Sequence, residues 1–252
     1  IGVNYLREHM IEKARIHYVI TNGGGAPNVV PDDCEVWYFI RSPERYQVNE
    51  LTERVRKIAQ GAALMTETTM EENFIAGAYN MLPNQVLSDE MLDVLEALGP
   101  LEFTDDEVAY GKAVVQQFPA ELRSMLLEKS KVPLSYLDAG LSGDVWPITD
   151  KGECLPGSTD VSDVSWITPT AQLTAATWAL GIPGHSWAVT STGAMTIGHK
   201  GMMHAAKGMA LTAARVIEDP DLFAQVRAEF EASTNGKPYE CPIPASAMPR
   251  RP

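Results

Sequence analysis

Three short stretches hold the residues whose types and spacing can do chemistry. The first is TNGGGAPNVVPDDCEVWYFIR, residues 21–41. Three glycines lead into an Asn-x-x-Pro turn at Asn28 to Pro31, and a strand-like run then ends on Arg41. Glycine permits positive φ and close approach of backbone to a ligand. N–H groups exposed in such a turn can hold an anion, so Gly24 and Gly25 are candidate binding residues. Arg41 alternates with Glu35, Trp37 and Phe39 on one strand face. A guanidinium there can stack on the rings and still present a fork of donors to a carboxylate. The same residues also describe a plain hairpin connection and a strand-end arginine, and spacing alone favours that. No G-x-G-x-x-G leads into a helix, and no Gly-Lys-Ser/Thr follows, so neither a dinucleotide fingerprint nor a phosphate loop is present.

The second stretch is GSTDVSDVSW, residues 157–166. Asp160 and Asp163 stand among small hydroxyl residues. They can line a polar site, orient a histidine or cap a helix, and capping is the commonest use of such clusters. The third is LGIPGHSW, residues 180–187, where a tight Pro-Gly turn presents His185. Neutral imidazole is a common metal ligand, but one histidine makes no site. His199 and His204 follow without a His-x3-His spacing. His199, beside Lys200 at a helix start, can cap or touch a ligand, and His204 reads as structural. His9 and His17 read as surface or packing residues.

The elements that must position these groups follow from periodicity. An opening helix carries Val3, Leu6, Met10 and Ile11 on one stripe. Strands are predicted over 14–21 and 34–41, and an amphipathic helix over 47–65 through Val48, Leu51, Val55, Ile58 and Ala62. A third strand is expected at 73–79. That order is a ferredoxin-like βαββαβ domain lacking its first strand. After Pro83, helices are predicted over 84–99 with a cap near Ser88, from a Thr104–Glu107 capping box to about 118, and over 121–129. Residues 130–172 are turn-rich, as functional loops often are. Short strands at 175–182 and 187–191 precede a helix over 201–217 and a last one from Asp219-Pro220 to about Ser233.

Composition sets the outer bounds. The chain has 252 residues, 45% hydrophobic and 21% charged, which is ordinary for a globular protein. A formal charge of −13 argues against broad contact with nucleic acid or anionic lipid, while one arginine suffices for an anionic small molecule. No run reaches the roughly eighteen apolar residues of a membrane span, and no signal peptide is visible. Three widely spaced cysteines, Cys34, Cys154 and Cys241, point to a reducing cytoplasm rather than a disulfide framework. Ile1 opens on a helix already under way, as if the chain began inside a domain.

VNYLREHMIEKARIHYVITNGGGAPNVVPD, STDVSDVSW, and PGHSW followed by GHKGM resemble the aminobenzoyl-glutamate utilisation protein B group. That group belongs to the metal-dependent amidohydrolases, with aminoacylases and carboxypeptidase G among its relatives. The resemblance implies an α/β fold: a partial ferredoxin-like lid (dimerisation) domain over 1–80 and the C-terminal part of a two-metal catalytic domain over 81–252. It implies that Asn28 and Arg41, thirteen positions apart, hold the substrate's carboxylate, and that these groups can act across a dimer. It makes His185 the last metal ligand, with Asp160 and Asp163 lining the site.

In such an enzyme two divalent ions, zinc or manganese, polarise the scissile amide and activate water, and a glutamate moves the proton. The expected substrate is an N-acyl amino acid, first p-aminobenzoyl-glutamate. The expected assembly is a homodimer, or a heterodimer with a homologous subunit. The family's His-x-Asp motif, bridging aspartate, Glu-Glu pair and lid histidine lie upstream of the matched region. This chain is therefore expected to be inactive alone, to keep no metal pair and to expose a face of its catalytic part. The alternatives are a carboxylate-binding or dimerisation module without catalysis, and a structural fragment.

Overall fold

The computed structural model describes residues 1–155, 157–245 and 247. It divides into two compact units. One comprises residues 1–81, 154–167 and the chain from 238 onward, and the other residues 82–153 and 168–237.

The first unit opens with helix α1 (Gly2–Arg7), which ends earlier than its apolar stripe suggests. Val3 and Leu6 are buried and Met10 packs against the same core from beyond the helix end, whereas Ile11 is exposed. Strands β1 (Arg15–Asn22) and β2 (Glu35–Arg41) form an antiparallel pair. Their register sets Arg15 opposite Arg41, His17 opposite Phe39 and Val19 opposite Trp37. Helix α2 (Arg45–Thr66) covers the other face. Val3, Leu6, Ile16 and Val55 form the core there, with Tyr38, Ile40 and Ile58 packed against it. Ala62, expected on the buried stripe, is exposed.

The third strand expected at 73–79 does not form, and the sheet has two strands among the described residues. The lid topology expected from the sequence is thus replaced by a helix-rich α/β arrangement with a small sheet. Side chains meet the polar groups at the end of that stretch. The Tyr79 N–H donates to Asp163 Oδ2 at 3.3 Å, and Trp166 Nε1 donates to the Asn80 carbonyl at 2.8 Å. A one-turn helix α6 (Val161–Val164) carries Asp163.

The second unit is helical: α3 (Gln85–Leu98), α4 (Asp105–Val115), α5 (Ala120–Lys129), α7 (Trp187–Gly193), α8 (Thr196–Glu218) and α9 (Pro220–Thr234). Asn84, not Ser88, caps α3. Its Oδ1 accepts the Leu87 N–H at 2.9 Å, while the Ser88 hydroxyl donates back to the Asn84 carbonyl at 2.8 Å. Glu229 from α9 accepts the Gln85 and Val86 N–H groups, both at 2.8 Å. The Thr104–Glu107 capping box forms as expected, and Asp219 caps α9 before Pro220. Val114, Val115, Leu141, Ala179, Ile182, Ala188 and Ile197 make the core.

The two strands expected at 175–182 and 187–191 are absent. Residues 187–193 are α7 instead, because Ala188 and Thr192, four apart, are both fully buried on one helical face. A short apolar run does not distinguish strand from helix by periodicity. The methionines of α8 stand partly bare: Met202 and Met209 are 58% and 54% exposed.

Candidate functional site

The glycine loop grows out of the hairpin and closes on itself. Asn22 Nδ2 donates to Asp33 Oδ2 at 2.7 Å across its neck. Gly24 adopts φ of +100°, which a side chain would strain, and a Cβ there would touch Pro31 at 3.4 Å. Nothing lies within 4 Å of a Cβ on Gly25. The Val29 N–H donates to the Ala26 carbonyl at 3.2 Å, so Asn28 sits exposed in the turn at the loop's tip.

Arg41 stands at the other end of β2, half-buried and opposite Arg15. Six residue steps separate it from Glu35, about 20 Å at strand rise. Within one copy the hairpin therefore holds Asn28 and Arg41 at opposite ends. The ring pair on Arg41's face does form, with Trp37 and Phe39 centroids 5.1 Å apart.

Asp160 and Asp163 occupy different roles in the first unit. Asp160 is exposed at the N-cap position of α6, yet its carboxylate makes no cap hydrogen bond. Thr159 Oγ1 accepts the Val161 N–H at 3.3 Å instead. Asp163 is held from two sides: Oδ1 accepts the Tyr239 hydroxyl at 2.9 Å and Oδ2 accepts the Tyr79 N–H. Desolvation, and then the hydrogen bond to Asp163, push the Tyr239 phenol well above its ordinary range. Tyr79 packs against both Trp166 and Tyr239, at centroid distances of 5.2 and 5.3 Å. The sequence carries no short-range signal for this cluster, because its members are separated by tens of residues.

His185 and His199 lie in the second unit. His185 is exposed in the turn just before α7, where Ser186 Oγ donates to the Pro183 carbonyl at 2.8 Å. His199 is exposed on the first turn of α8. The glycines around it are packing residues. A Cβ on Gly198 would sit 2.1 Å from the Gly193 carbonyl oxygen, and one on Gly201 2.4 Å from that of Ala176.

Lys200 has a role that the sequence did not disclose. Its Nζ donates to Glu107 Oε2 at 2.6 Å, and Thr196 Oγ1 donates to Glu107 Oε1 at 2.5 Å. The Thr104 N–H adds a third bond at 2.7 Å. These donors, the Lys200 bond first, hold the Glu107 carboxyl down at about 2. The Thr104–Glu107 spacing disclosed half of this arrangement and nothing pointed to Lys200.

Among the described residues no three His, Cys, Asp or Glu side chains group closely enough to hold a metal ion. The described residues therefore do not by themselves fit a two-metal centre.

Residues 8–66, within the first unit, match the family described as the peptidase dimerisation domain. Across 98% of its length the chain is 41% identical to a p-aminobenzoyl-glutamate hydrolase subunit of Escherichia coli (strain K12), of which it covers 54%. It is also 27% identical, over 91% of its length, to the Xaa-Arg dipeptidase of Mus musculus, of which it covers 43%. A shorter match, 29% identity over 33% of the chain and 22% of the relative, is to the N-acetyldiaminopimelate deacetylase of Leuconostoc citreum (strain KM20). The resemblance read from the sequence holds on these grounds. The chain spans about half the length of the first of these relatives. No helix among the described residues is long and apolar enough to cross a membrane.

Proposed function

We propose that this chain is part of a metal-dependent amidohydrolase that cleaves the amide bond of an N-acyl amino acid, with p-aminobenzoyl-glutamate as the first substrate. The observation that carries the reading is 41% identity over nearly the whole chain to a protein named for that hydrolysis. The dipeptidase and deacetylase names describe cleavage of the same kind of acyl–nitrogen bond. Residues 1–80 serve as the lid and residues 81–252 as part of the catalytic domain. The last five residues of that range, with Pro156 and Ser246, lie outside the described residues.

In this reading Arg41 takes the substrate's carboxylate in its guanidinium fork and Asn28 adds an amide donor. Their separation along one hairpin favours a site shared by two copies, or by this chain and a homologous subunit, through the dimerisation domain. A twofold axis that runs one hairpin antiparallel to its mate sets the Arg41 end of one beside the Asn28 tip of the other. Gly24 and Gly25 leave that tip open to a ligand. His185 contributes one imidazole to a divalent metal, zinc or manganese, whose other ligands and the proton-moving glutamate come from outside the described residues. His199 lines the same site. Three exposed free thiols support a reducing, cytoplasmic setting.

The test is hydrolysis by the protein at its natural length, loaded with zinc or with manganese, on p-aminobenzoyl-glutamate and a panel of N-acyl amino acids. Release of p-aminobenzoate and glutamate is expected. Failure to cleave any of these amides with metal bound would overturn the reading. It would leave the second one, a dimerisation module that binds carboxylates without catalysis, which the family match over 8–66 also supports. Calorimetric binding of glutamate by such an inactive protein would establish that alternative.

A further inference from the structure

Cross-strand pairing puts two arginines face to face at one end of the hairpin. Arg15 opens β1, Arg41 closes β2, and the register sets them directly opposite. Directly paired residues project from the same side of a sheet. Here it is the side away from α2, because the chain neighbours Ile16 and Ile40 pack in the core. Like charges directly opposite each other destabilise a strand pair. The chain does not lack acids to relieve them, with 33 Asp and Glu against 20 Lys and Arg. Other arginines of the same unit take such partners: Arg54 pairs with Glu50, and Arg56 with Glu53 and Glu72. Arg15 pairs with no carboxylate among the described residues. It is exposed, and its Nη1 donates to the Glu12 and Ala14 carbonyls, the latter at 2.6 Å. Those bonds hold the guanidinium and leave its Nε and Nη2 donors without a partner among the described residues. Along the same face His17 lies opposite Phe39 and Val19 opposite Trp37. The acid of that face, Glu35, stands six residue steps from Arg41, about 20 Å away, where it accepts the Thr21 hydroxyl.

We propose that Arg15 is a second carboxylate-binding residue: beside Arg41 it makes a two-guanidinium end to the hairpin that takes both acid groups of an N-acyl dicarboxylic amino acid such as an N-acyl-glutamate. This rests on the amidohydrolase reading above, which gives Arg41 one carboxylate. Every N-acyl amino acid carries one such group, and one guanidinium serves it. A second cation opposite the first is only a cost to the hairpin unless the ligand brings a second negative charge. An acyl-glutamate brings two on a short carbon chain. That suits two side chains whose Cβ atoms stand about 5 Å apart, the usual cross-strand separation. A cationic side chain in the same place would be repelled by both arginines.

The experiment uses the protein at its natural length, loaded with zinc or manganese, and compares wild type, Arg15→Gln and Arg15→Lys. The substrates are three amides of p-aminobenzoate: with glutamate, with glutamine (equal in size, without the charge) and with arginine. The readouts are kcat/KM for each amide and the melting temperature. Wild type should prefer the glutamate amide to the glutamine amide. Arg15→Gln should lower kcat/KM for the glutamate amide about tenfold, the scale of one charge-assisted bond, and leave the glutamine amide unchanged. The arginine amide should improve, because one repelling charge is gone. Arg15→Lys keeps the charge without the fork and should fall between wild type and Arg15→Gln. The melting temperature of Arg15→Gln should hold or rise, since a like-charge pair is relieved.

Equal losses on the glutamate and glutamine amides in Arg15→Gln would overturn the proposal, since a structural role moves both alike. So would a wild type without preference for the glutamate amide, or unchanged kinetics on all three. If Arg15→Gln does not fold, the same ratio in Arg15→Lys decides. If the wild type cleaves none of the amides, the amidohydrolase reading fails on that result. Calorimetry with glutarate against butyrate then decides the arginine pair by itself. Tighter binding of glutarate that is lost in Arg15→Gln or Arg15→Lys upholds it, and equal binding of the two acids overturns it.

Discussion

Glu107 ties the N-terminus of α4 to that of α8, and Glu107→Gln removes its charge while keeping its volume and one acceptor for the Thr104 N–H. The carboxyl is held at about 2 against an ordinary 4.5. That difference has a ceiling of about 3.4 kcal/mol. Lys200 is about a third exposed, so water and salt screen the pair, and we reduce the expected loss to about 2 kcal/mol. The drop in melting temperature should then be about 4–8 °C. The sign with pH is set by the depressed folded value. The contribution is complete above the unfolded pKa near 4.5 and is lost as pH falls towards 2. About two fifths of it should remain at pH 3, so the gap between wild type and Glu107→Gln should narrow by more than half from pH 7 to pH 3. Thermal denaturation at both pH values reads this directly. Lys200→Met, which leaves the buried carboxylate without its cation, should cost at least as much, and adding Glu107→Gln to it should recover part of the loss. Equal melting temperatures for wild type and Glu107→Gln at pH 7, or a gap that does not narrow at pH 3, would refute the account.

Three further outcomes follow from the placements above. In the protein at its natural length, Arg41→Ala should raise KM for an N-acyl amino acid with kcat largely kept, and steady-state kinetics showing a pure loss of turnover would count against the carboxylate role. His185→Ala should lower bound metal as measured by elemental analysis, and unchanged stoichiometry would remove it from the ligand set. Gly201→Ala should destabilise although alanine favours a helix. A Cβ 2.4 Å from the Ala176 carbonyl forces a shift costing about 1–3 kcal/mol, against roughly 1 kcal/mol gained in propensity; a raised melting temperature would show that the neighbouring segment yields freely.

Helices with chemical punctuation were legible from the sequence. The Thr104–Glu107 box and the Asp219-Pro220 start each form where the residues say they should, because capping is local and needs no distant partner. The hairpin was legible too, since β1 and β2 each lie within a residue of the predicted spans. What was not legible depended on company. Residues 73–79 have the composition of a strand, yet a strand exists only beside another, and here Asp163 and Trp166 take the end of that stretch. Residues 187–191 read as strand by apolarity, but burial at Ala188 and Thr192 made them helical. The Ser-Thr-Asp cluster read as a cap. Thr159 does that locally, while Asp163 serves residues 76 and 84 positions away that no spacing rule reaches.

The two residues proposed to bind the carboxylate show the same limit in sharper form. Thirteen positions between Asn28 and Arg41 look like a short distance in sequence. A loop that projects outward followed by a seven-residue strand turns that spacing into a separation of about 20 Å or more. No side chain spans such a gap. A carboxylate of ordinary size can touch both residues only if the second group comes from another hairpin, with the strand direction reversed. The hairpin itself offers a surface for such a mate: the face bearing Val19, Trp37 and Phe39 lies opposite the one packed on α2, with Val19 and Phe39 at least half exposed. If the two residues bind one ligand, affinity for it should depend on protein concentration through the dimer. A monomeric variant that kept full affinity would assign the carboxylate to Arg41 or Asn28 alone.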